Sequence, residues 1–513
     1  MISPAFCQIL TVADPNPDFI RYMFDVKDGK HSNTTSEGYS TGYIPPFKKI
    51  PKNPVSILHP DVPLIFPAIY DLRATGKMTP VRNQGGCSSC WSFATYGSIE
   101  SHWKILGLGD QDLSENNLKN CPGFDWNPCF GGNSWVSISY LSKNAGPVNE
   151  LDDPYVDAIT PCVTGITPVA TLMNARFLTK DPSSIKQAIM DYGAIYTVFY
   201  VEDAFYNPID FTYFYNGTNL QNHGVTIAGW DDTKVTAGGT GAWIVKNSWG
   251  PAWGENGYFY ISYNDARINE EVCYYPTYAT VNPNSRLYYY DDFGEVTDVG
   301  FNSEISYGLI KFTTTNAFPV TRISTWIANF NGTVGIDIYD DFDGTTLTSL
   351  LATIPDQAVP QMGYYTFELP EPLSIGTGND FYIKVKYYTP GYLTPIPVEA
   401  IQAGYSSNAT LETGKCWTSS GGTSWTAMGS ATSMPYDLCI KAYAAEEIPA
   451  PEVTAASVLA CPGDSVAIPI TTAGFTAISS MKLQLGYDPA LISFQSATNI
   501  NPALAGLTVE DFP

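Results

Sequence analysis

The stretch Gln84–Trp91, QGGCSSCW, sets two thiols, Cys87 and Cys90, with two residues between them. That C-x-x-C spacing suits a redox pair, half of a zinc site, or one structural and one chemical cysteine. Cys90 stands at the start of a helical pattern. The free N–H groups and dipole of a helix start stabilise an anion and favour the nucleophilic thiolate. Such a thiol also needs a base, a group that orients the base, and donors for a developing oxyanion. The histidines are His31, His59, His102 and His223. His31 and His59 fall in a Pro-rich leader, and His102 lies about three turns along the helix from Cys90. His223, heading the strand pattern in QNHGVTIAGW, remains as the base. Downstream, WIVKNSWG offers Asn247, whose amide oxygen can fix an imidazole tautomer, and Trp249, which can shield that bond. Gln84 can add a side-chain donor to the backbone N–H of Cys90.

Several elements must position these groups. Trp91–Leu106 has apolar residues at helical spacing (Phe93, Tyr96, Ile99, Trp103, Leu106), which predicts an amphipathic helix ended by Gly107 and Gly109. A second, weaker helix is expected over Ser114–Lys119. From about Gly193 the pattern becomes short strands: AIYTVFYV, HGVTIAGW, AWIVKNSW and GYFYISY. The first globular unit, 66–280, therefore reads as a helical half followed by a strand half. After about Thr280 the chain reads as almost all β, with a sandwich or jelly roll over 290–444. Residues 445–451 read as a linker. Residues 452–513 hold further strand-like segments, too few for a full sandwich. Residues 1–65 read as an irregular leader.

The 513 residues allow about three domains. A net charge of −24, with 26 Lys and Arg in no long run, argues against nucleic-acid and anionic-membrane binding. No apolar run reaches the ~18 residues of a membrane span. The N-terminus lacks the basic start and apolar core of a signal peptide. Ten dispersed cysteines fit disulfides in an oxidising compartment. The Asp-rich Tyr339–Thr346 fails the EF-hand pattern, because placing Gly344 sixth puts Tyr339 first and Leu350 twelfth, so a hairpin turn is expected there.

Five segments in order, PVRNQGGCSSCWSFATYGSIES, LSENNLKNC, CFGGNSW, NHGVTIAGW and WIVKNSWGPAWGENGYFYI, resemble the signatures of the papain-like cysteine peptidases over about residues 66–278. The resemblance implies an α+β fold, a two-lobed peptidase with a helical lobe and a β lobe, followed here by all-β sandwich domains. It implies Cys90 as nucleophile, His223 as its proton partner, Asn247 as orienter and Gln84 in the oxyanion hole. Gly131 and Gly132 would pair with a bound peptide, with Ser88, Ser134, Asn222 and Trp249 on the substrate side. No metal and no cofactor are implied, and the substrate is protein or peptide. Disulfides Cys87–Cys129 and Cys121–Cys162 are implied by the family. Ser88 stands where the family signature has glycine, and a positive φ there would strain it. The leader would correspond to an inhibitory propeptide, short and without a long amphipathic helix, with cleavage near residues 60–68.

Residues 290–444 resemble the lectin-like β domain that follows some papain-like units, with Cys416 and Cys439 as a candidate pair. Residues 452–513 resemble the first half of a cohesin-like sandwich. The expectation is a secreted or surface cysteine endopeptidase whose β domains serve surface, scaffold or carbohydrate attachment. Two rivals are an adhesin with a vestigial peptidase domain and a thiol–disulfide oxidoreductase. Redox chemistry would need none of His223, Asn247 and Gln84.

Overall fold

In the computed structural model, residues 9–51, 65–446, 452–455 and 470–473 are described. They divide into a unit ending at Glu446 and a second, Glu447–Pro513. Helix starts follow their caps. Helix α1, Pro17–Lys27, begins with Asn16 accepting from the Asp18 amide at 3.1 Å and with proline in its first turn. Helix α2 is Cys90–Ile105. Helix α3, Glu115–Asn120, is capped by Ser114, which accepts from the Asn117 amide at 2.9 Å. Helix α4, Ser134–Ser142, is capped by Asn133. Helix α5, Pro182–Tyr192, is capped by Asp181 and ends at Gly193 with φ +81°.

The predicted amphipathic helix departs from expectation. Every residue of α2 from Cys90 to Trp103 is buried, because strands cover one side while α3 and α4 cover the other. A helix enclosed in this way needs no polar stripe, so its serines and threonine turn inward: Thr95 Oγ1 donates to Trp91 O at 2.9 Å. The leader departs too. It contains α1, whose start signal Asn16-Pro17 is followed by Phe19, Tyr22, Met23 and Val26 at helical spacing.

The strand half is an antiparallel array of Ile195–Phe199, His223–Thr236, Gly239–Lys246 and Tyr258–Ser262. Phe199 pairs with His223, and Thr226 with Lys246. The sheet continues through Val272–Ala279 and Thr171–Phe177 into strand Gly363–Leu373, where Gly363 pairs with Arg176. The second, all-β region thus shares a sheet with the first, and its own core lies among Ile310, Ile323, Ile336, Ile383 and Val398. In the Asp-rich segment, Asp343 Oδ1 accepts from the amides of Thr345 and Thr346 at 2.8 and 2.7 Å, closing the hairpin turn expected there.

Cys416 and Cys439 do not pair. Leu438 packs in the same core as Cys416, and its amide donates to Cys416 Sγ at 3.5 Å. Cys439 is the next residue along, and strand alternation turns it into the opposite core with Trp326 and Tyr364.

The leader is fastened to both regions. Thr11–Val12 adds an antiparallel strand to Thr297–Gly300. Buried Lys48 Nζ donates to Glu295 Oε1 at 2.9 Å, to Ala328 O at 3.0 Å and to Asp298. A lysine so enclosed requires these partners, since an unpaired buried charge is costly. Residues 52–64, with much of the expected cleavage zone, lie outside the described residues. In the second unit, Glu452–Ala455 pairs antiparallel with Ile470–Ala473; the rest of the cohesin-like reading lies outside the described residues. Among the described residues, no helix is long and apolar enough to cross a membrane.

Candidate active site

Cys90 opens α2, and its N-cap residue, Ser89, spends no side-chain oxygen on the first-turn amides. The Ser89 hydroxyl pairs instead with that of Tyr155 at 2.8 Å. The Cys90 and Trp91 N–H groups at the helix start are left to the sulfur. A further donor comes from across the cleft: Gly224 N donates to Cys90 Sγ at 3.3 Å. Gly224 follows His223, so this bond brings the imidazole to the thiol.

His223 Nε2 donates to Asn247 Oδ1 at 2.8 Å. With Nε2 carrying the proton, Nδ1 is the basic nitrogen, and it is buried with no hydrogen-bond partner. Trp249 stacks on His223 with ring centroids 4.8 Å apart, screening the His223–Asn247 bond from water. Gln84 is fully buried. Its Nε2 donates to Cys87 O at 3.0 Å, and its Oε1 accepts from Ser248 Oγ at 2.6 Å. An amide nitrogen has two hydrogens, so one remains for an oxyanion beside the Cys90 amide.

The cleft is filled by the leader. Trp249 Nε1 donates to Ser40 O at 2.8 Å. Gly42 N and Tyr43 N each donate to Asn222 O at 2.9 Å. Gly132 N donates to Gly42 O at 2.9 Å, and Ile44 N donates to Gly132 O at 3.0 Å, a parallel bridge between Tyr43 and Gly132. Under this strap Cys90 is wholly buried, and burial outweighs the Gly224, Trp91 and Cys90 amides to push its thiol up to about 12. Burial likewise takes His223 down to about 4, against the opposing pull of Asn247. Both groups are neutral at pH 7 in the covered site, whereas the sequence reading expects a helix-start thiolate.

The two family-implied disulfides are present, Cys87–Cys129 and Cys121–Cys162. The first ties the approach to α2 to the chain just before Gly131–Gly132, and the second ties the end of α3 to the loop at Cys162. In the chain-entropy model, closing the 42-residue separation of the first restrains the unfolded chain by about 4 kcal/mol. Cys87 is therefore committed to structure.

A family model described as papain family cysteine protease matches residues 66–277, and one described as lectin like domain matches residues 287–444. Cathepsin J of Mus musculus is 33% identical over 258 residues, which is 47% of this chain and 73% of that protein. The chain belongs to the papain family of cysteine proteases. It is a cysteine peptidase followed by a lectin-like domain. A viral cathepsin of Heliothis zea nuclear polyhedrosis virus is 32% identical over 214 residues, covering 40% of this chain but only 54% of that protein. The fold is shared with the cysteine protease and lectin-like domains of Cwp84, a surface layer associated protein of Clostridium difficile. That match has a TM-score of 0.73 at 21% identity and covers 85% of this chain and 98% of the other. The same clostridial protease after propeptide cleavage matches with a TM-score of 0.66 at 22% identity, over 74% of this chain and 99% of that one.

Within this papain-family cleft some expected residues act differently. Ser88 is buried, with its amide donating to Cys129 O at 3.3 Å, and it is absent from the positive-φ residues, so the glycine-to-serine departure carries no backbone strain. Asn222 presents its carbonyl, not its amide side chain. The side chain turns back to Val201, accepting from Val201 N at 2.8 Å and donating to Val201 O at 2.9 Å. Gly132 has a packing reason besides peptide pairing: a Cβ there would lie 2.4 Å from the Trp91 ring. Ser134 faces Glu271, donating to Oε1 at 2.7 Å. Sequence reasoning missed Glu271. Its signal is a carboxylate directly before the apolar strand Val272–Ala279, a place where an acid must be enclosed and partnered.

Proposed function

We propose that this chain is a secreted or surface-associated cysteine endopeptidase held inactive by its own leader. Cys90 Sγ, as thiolate, attacks a peptide carbonyl carbon. The Cys90 amide and Gln84 Nε2 receive the developing oxyanion. The His223 imidazolium gives its proton to the departing amine as the C–N bond breaks, leaving a thioester on Cys90. Neutral His223 then takes a proton from water, hydroxide adds to the thioester, and the thiolate leaves with release of the carboxylic acid. Asn247 keeps His223 in the tautomer both steps require. The observation that carries this reading is the His223–Asn247 bond at 2.8 Å beside a thiol at a helix start.

The leader, residues 1–65, is the inhibitory propeptide in this reading, supported by the Ser40–Ile44 strap over Cys90. Its release requires cleavage, expected near residues 60–68. Surface attachment is supported by the lectin-like match and by the surface layer association of the clostridial relative. The lectin-like domain would bind a carbohydrate or cell-surface scaffold, and residues 452–513 would begin a cohesin-like docking domain.

Cleavage of a peptide library by the incubated wild-type protein, beside Cys90→Ala, tests the enzymatic core. We expect cleavage within peptides and a new N-terminus in that zone from the wild type, and neither from Cys90→Ala. Equal cleavage by both, or by neither, would sink the reading.

A further inference from the structure

We propose that Asp157 is a positioning residue for the oxyanion hole, holding the Gln84–Ser89 turn so that the free Gln84 N–H meets the developing charge; this rests on the peptidase reading above. The carboxylate bridges two successive amides of that turn. Gly86 N donates to Asp157 Oδ2 at 2.8 Å, and Cys87 N donates to Asp157 Oδ1 at 2.6 Å. Amide bonds to a carboxylate are among the stronger hydrogen bonds. The turn is shaped to receive it. Gly85 has φ +60°, and a Cβ there would lie 2.1 Å from Asp157 Oδ2, so a side chain at that position would push the carboxylate away.

What the carboxylate holds decides where Gln84 points. Cys87 O accepts from Gln84 Nε2 at 3.0 Å and from the Ser89 amide at 2.8 Å. One Gln84 hydrogen is thereby fixed, and the direction of the other follows from the place of Cys87 O. The disulfide restrains the Cys87 side chain but not the tilt of its peptide planes, which Asp157 fixes from the N–H side. The arm that carries Asp157 is itself braced. The Tyr155 hydroxyl donates to Gln84 O at 2.7 Å and pairs with the Ser89 hydroxyl at 2.8 Å. Its ring stands edge-on to Phe93 of α2 with centroids 4.9 Å apart, and Lys119 Nζ of α3 donates to Ala158 O at 3.0 Å. Asp157 is exposed, and its bonds go to Gly86 and Cys87, not to Cys90 or His223, so its effect on the reaction passes through Gln84. All of these groups lie within residues 66–280, so the brace does not depend on the leader. An aimed oxyanion donor contributes about 10²–10³ to kcat, and a displacement of ~1 Å forfeits much of that.

The test is a double-mutant cycle on the leader-released protein: wild type, Asp157→Ala, Gln84→Ala and the two together, with active enzyme counted by titration of Cys90. Asp157→Ala should lower kcat for peptide hydrolysis about tenfold, with KM and the rate of Cys90 alkylation by iodoacetamide each within about twofold of wild type. Alkylation needs the thiol but forms no oxyanion, so a merely structural loss would lower both rates. In the Gln84→Ala background the same substitution should change kcat by less than about twofold. An unchanged kcat in Asp157→Ala, an equal loss with and without Gln84, or an alkylation rate that falls with kcat overturns the proposal. If Asp157→Ala does not fold, Asp157→Asn keeps the volume, but its single carbonyl oxygen leaves one of the two amides facing an NH2 group. Its kcat should fall about three- to tenfold, and only while Gln84 is present; an unchanged kcat overturns the proposal. Absence of any cleavage by the wild type would overturn the peptidase reading itself, a result distinct from cleavage indifferent to Asp157.

Discussion

Replacing His223 by alanine is expected to lower kcat/KM for peptide hydrolysis by about 10^4-fold or more, while leaving the fold intact. The imidazole has two tasks that no other group among the described residues of the cleft can assume. It must hold a proton for the leaving amine, and it must later accept one from water. Of the other described histidines, His102 is turned away, its Nε2 bonded to Pro276 O at 3.0 Å, and His31 is bonded to Asn33 in the leader; His59 lies outside the described residues. The Asn247 amide accepts from Nε2 but cannot carry a proton across the cleft. Loss of the ring also removes one of the stacking partners of Trp249, the other being Tyr39 of the leader, an effect on stability of about 1 kcal/mol. Single-turnover measurements on the leader-released protein would separate the steps. A variant retaining more than about a tenth of wild-type activity would mean that His223 is not the proton carrier.

The second large effect concerns the strap. Gly42 passes so close to the peptidase that a Cβ on it would lie 2.2 Å from Ser88 O and 2.5 Å from Ser88 C. Both are rigid backbone atoms at the turn into α2, so Gly42→Ala must lift the leader. Overpacking of this kind costs about 1–3 kcal/mol. Lifting also stretches the paired bonds from Gly42 N and Tyr43 N to Asn222 O, worth roughly 1 kcal/mol each. Each 1.4 kcal/mol is about tenfold in population. The full-length Gly42→Ala chain should therefore expose Cys90 to a small thiol reagent about 10- to 100-fold faster than wild type. Gly421→Ala, at a position with open space around it, serves as a neutral comparison. Equal rates for the two variants would show that the strap does not seal the thiol.

The reacting groups were legible because their chemistry forces residue types into fixed surroundings. A thiol at a helix start, a histidine heading a strand and an asparagine after the next strand can be read without coordinates. The two-lobed division was legible for the same reason, since hydrophobic period changes from helical to alternating near Gly193. Contacts made by backbone were not legible. Asn222 serves through its carbonyl, and a sequence shows only its side chain. The strap is a second case. Nothing in SEGYSTGYIPP states that Gly42 and Tyr43 will lie on Gly132, because that register is set by a tertiary fit. Helix α1 was legible in principle, from Asn16-Pro17 and the spacing of Phe19, Tyr22, Met23 and Val26, but the surrounding prolines hid it. Cys416 and Cys439 show the limit of counting cysteines: strand alternation sends neighbours Leu438 and Cys439 to opposite cores, and no count reveals which face each takes.

The central claim joins the site to its cover: a Cys90–His223 pair competent for acyl transfer, closed by residues Ser40–Ile44. Its most direct measurement is mass-spectrometric mapping of a mechanism-based cysteine-protease probe on the intact chain and on the same sample after leader release. The account predicts little label on the intact chain, where burial holds the thiol near 12. It predicts stoichiometric label on Cys90 once the leader is gone, appearing in step with peptide hydrolysis. An intact chain that labels and hydrolyses as fast as the processed one would contradict the account, as would a processed chain that does neither.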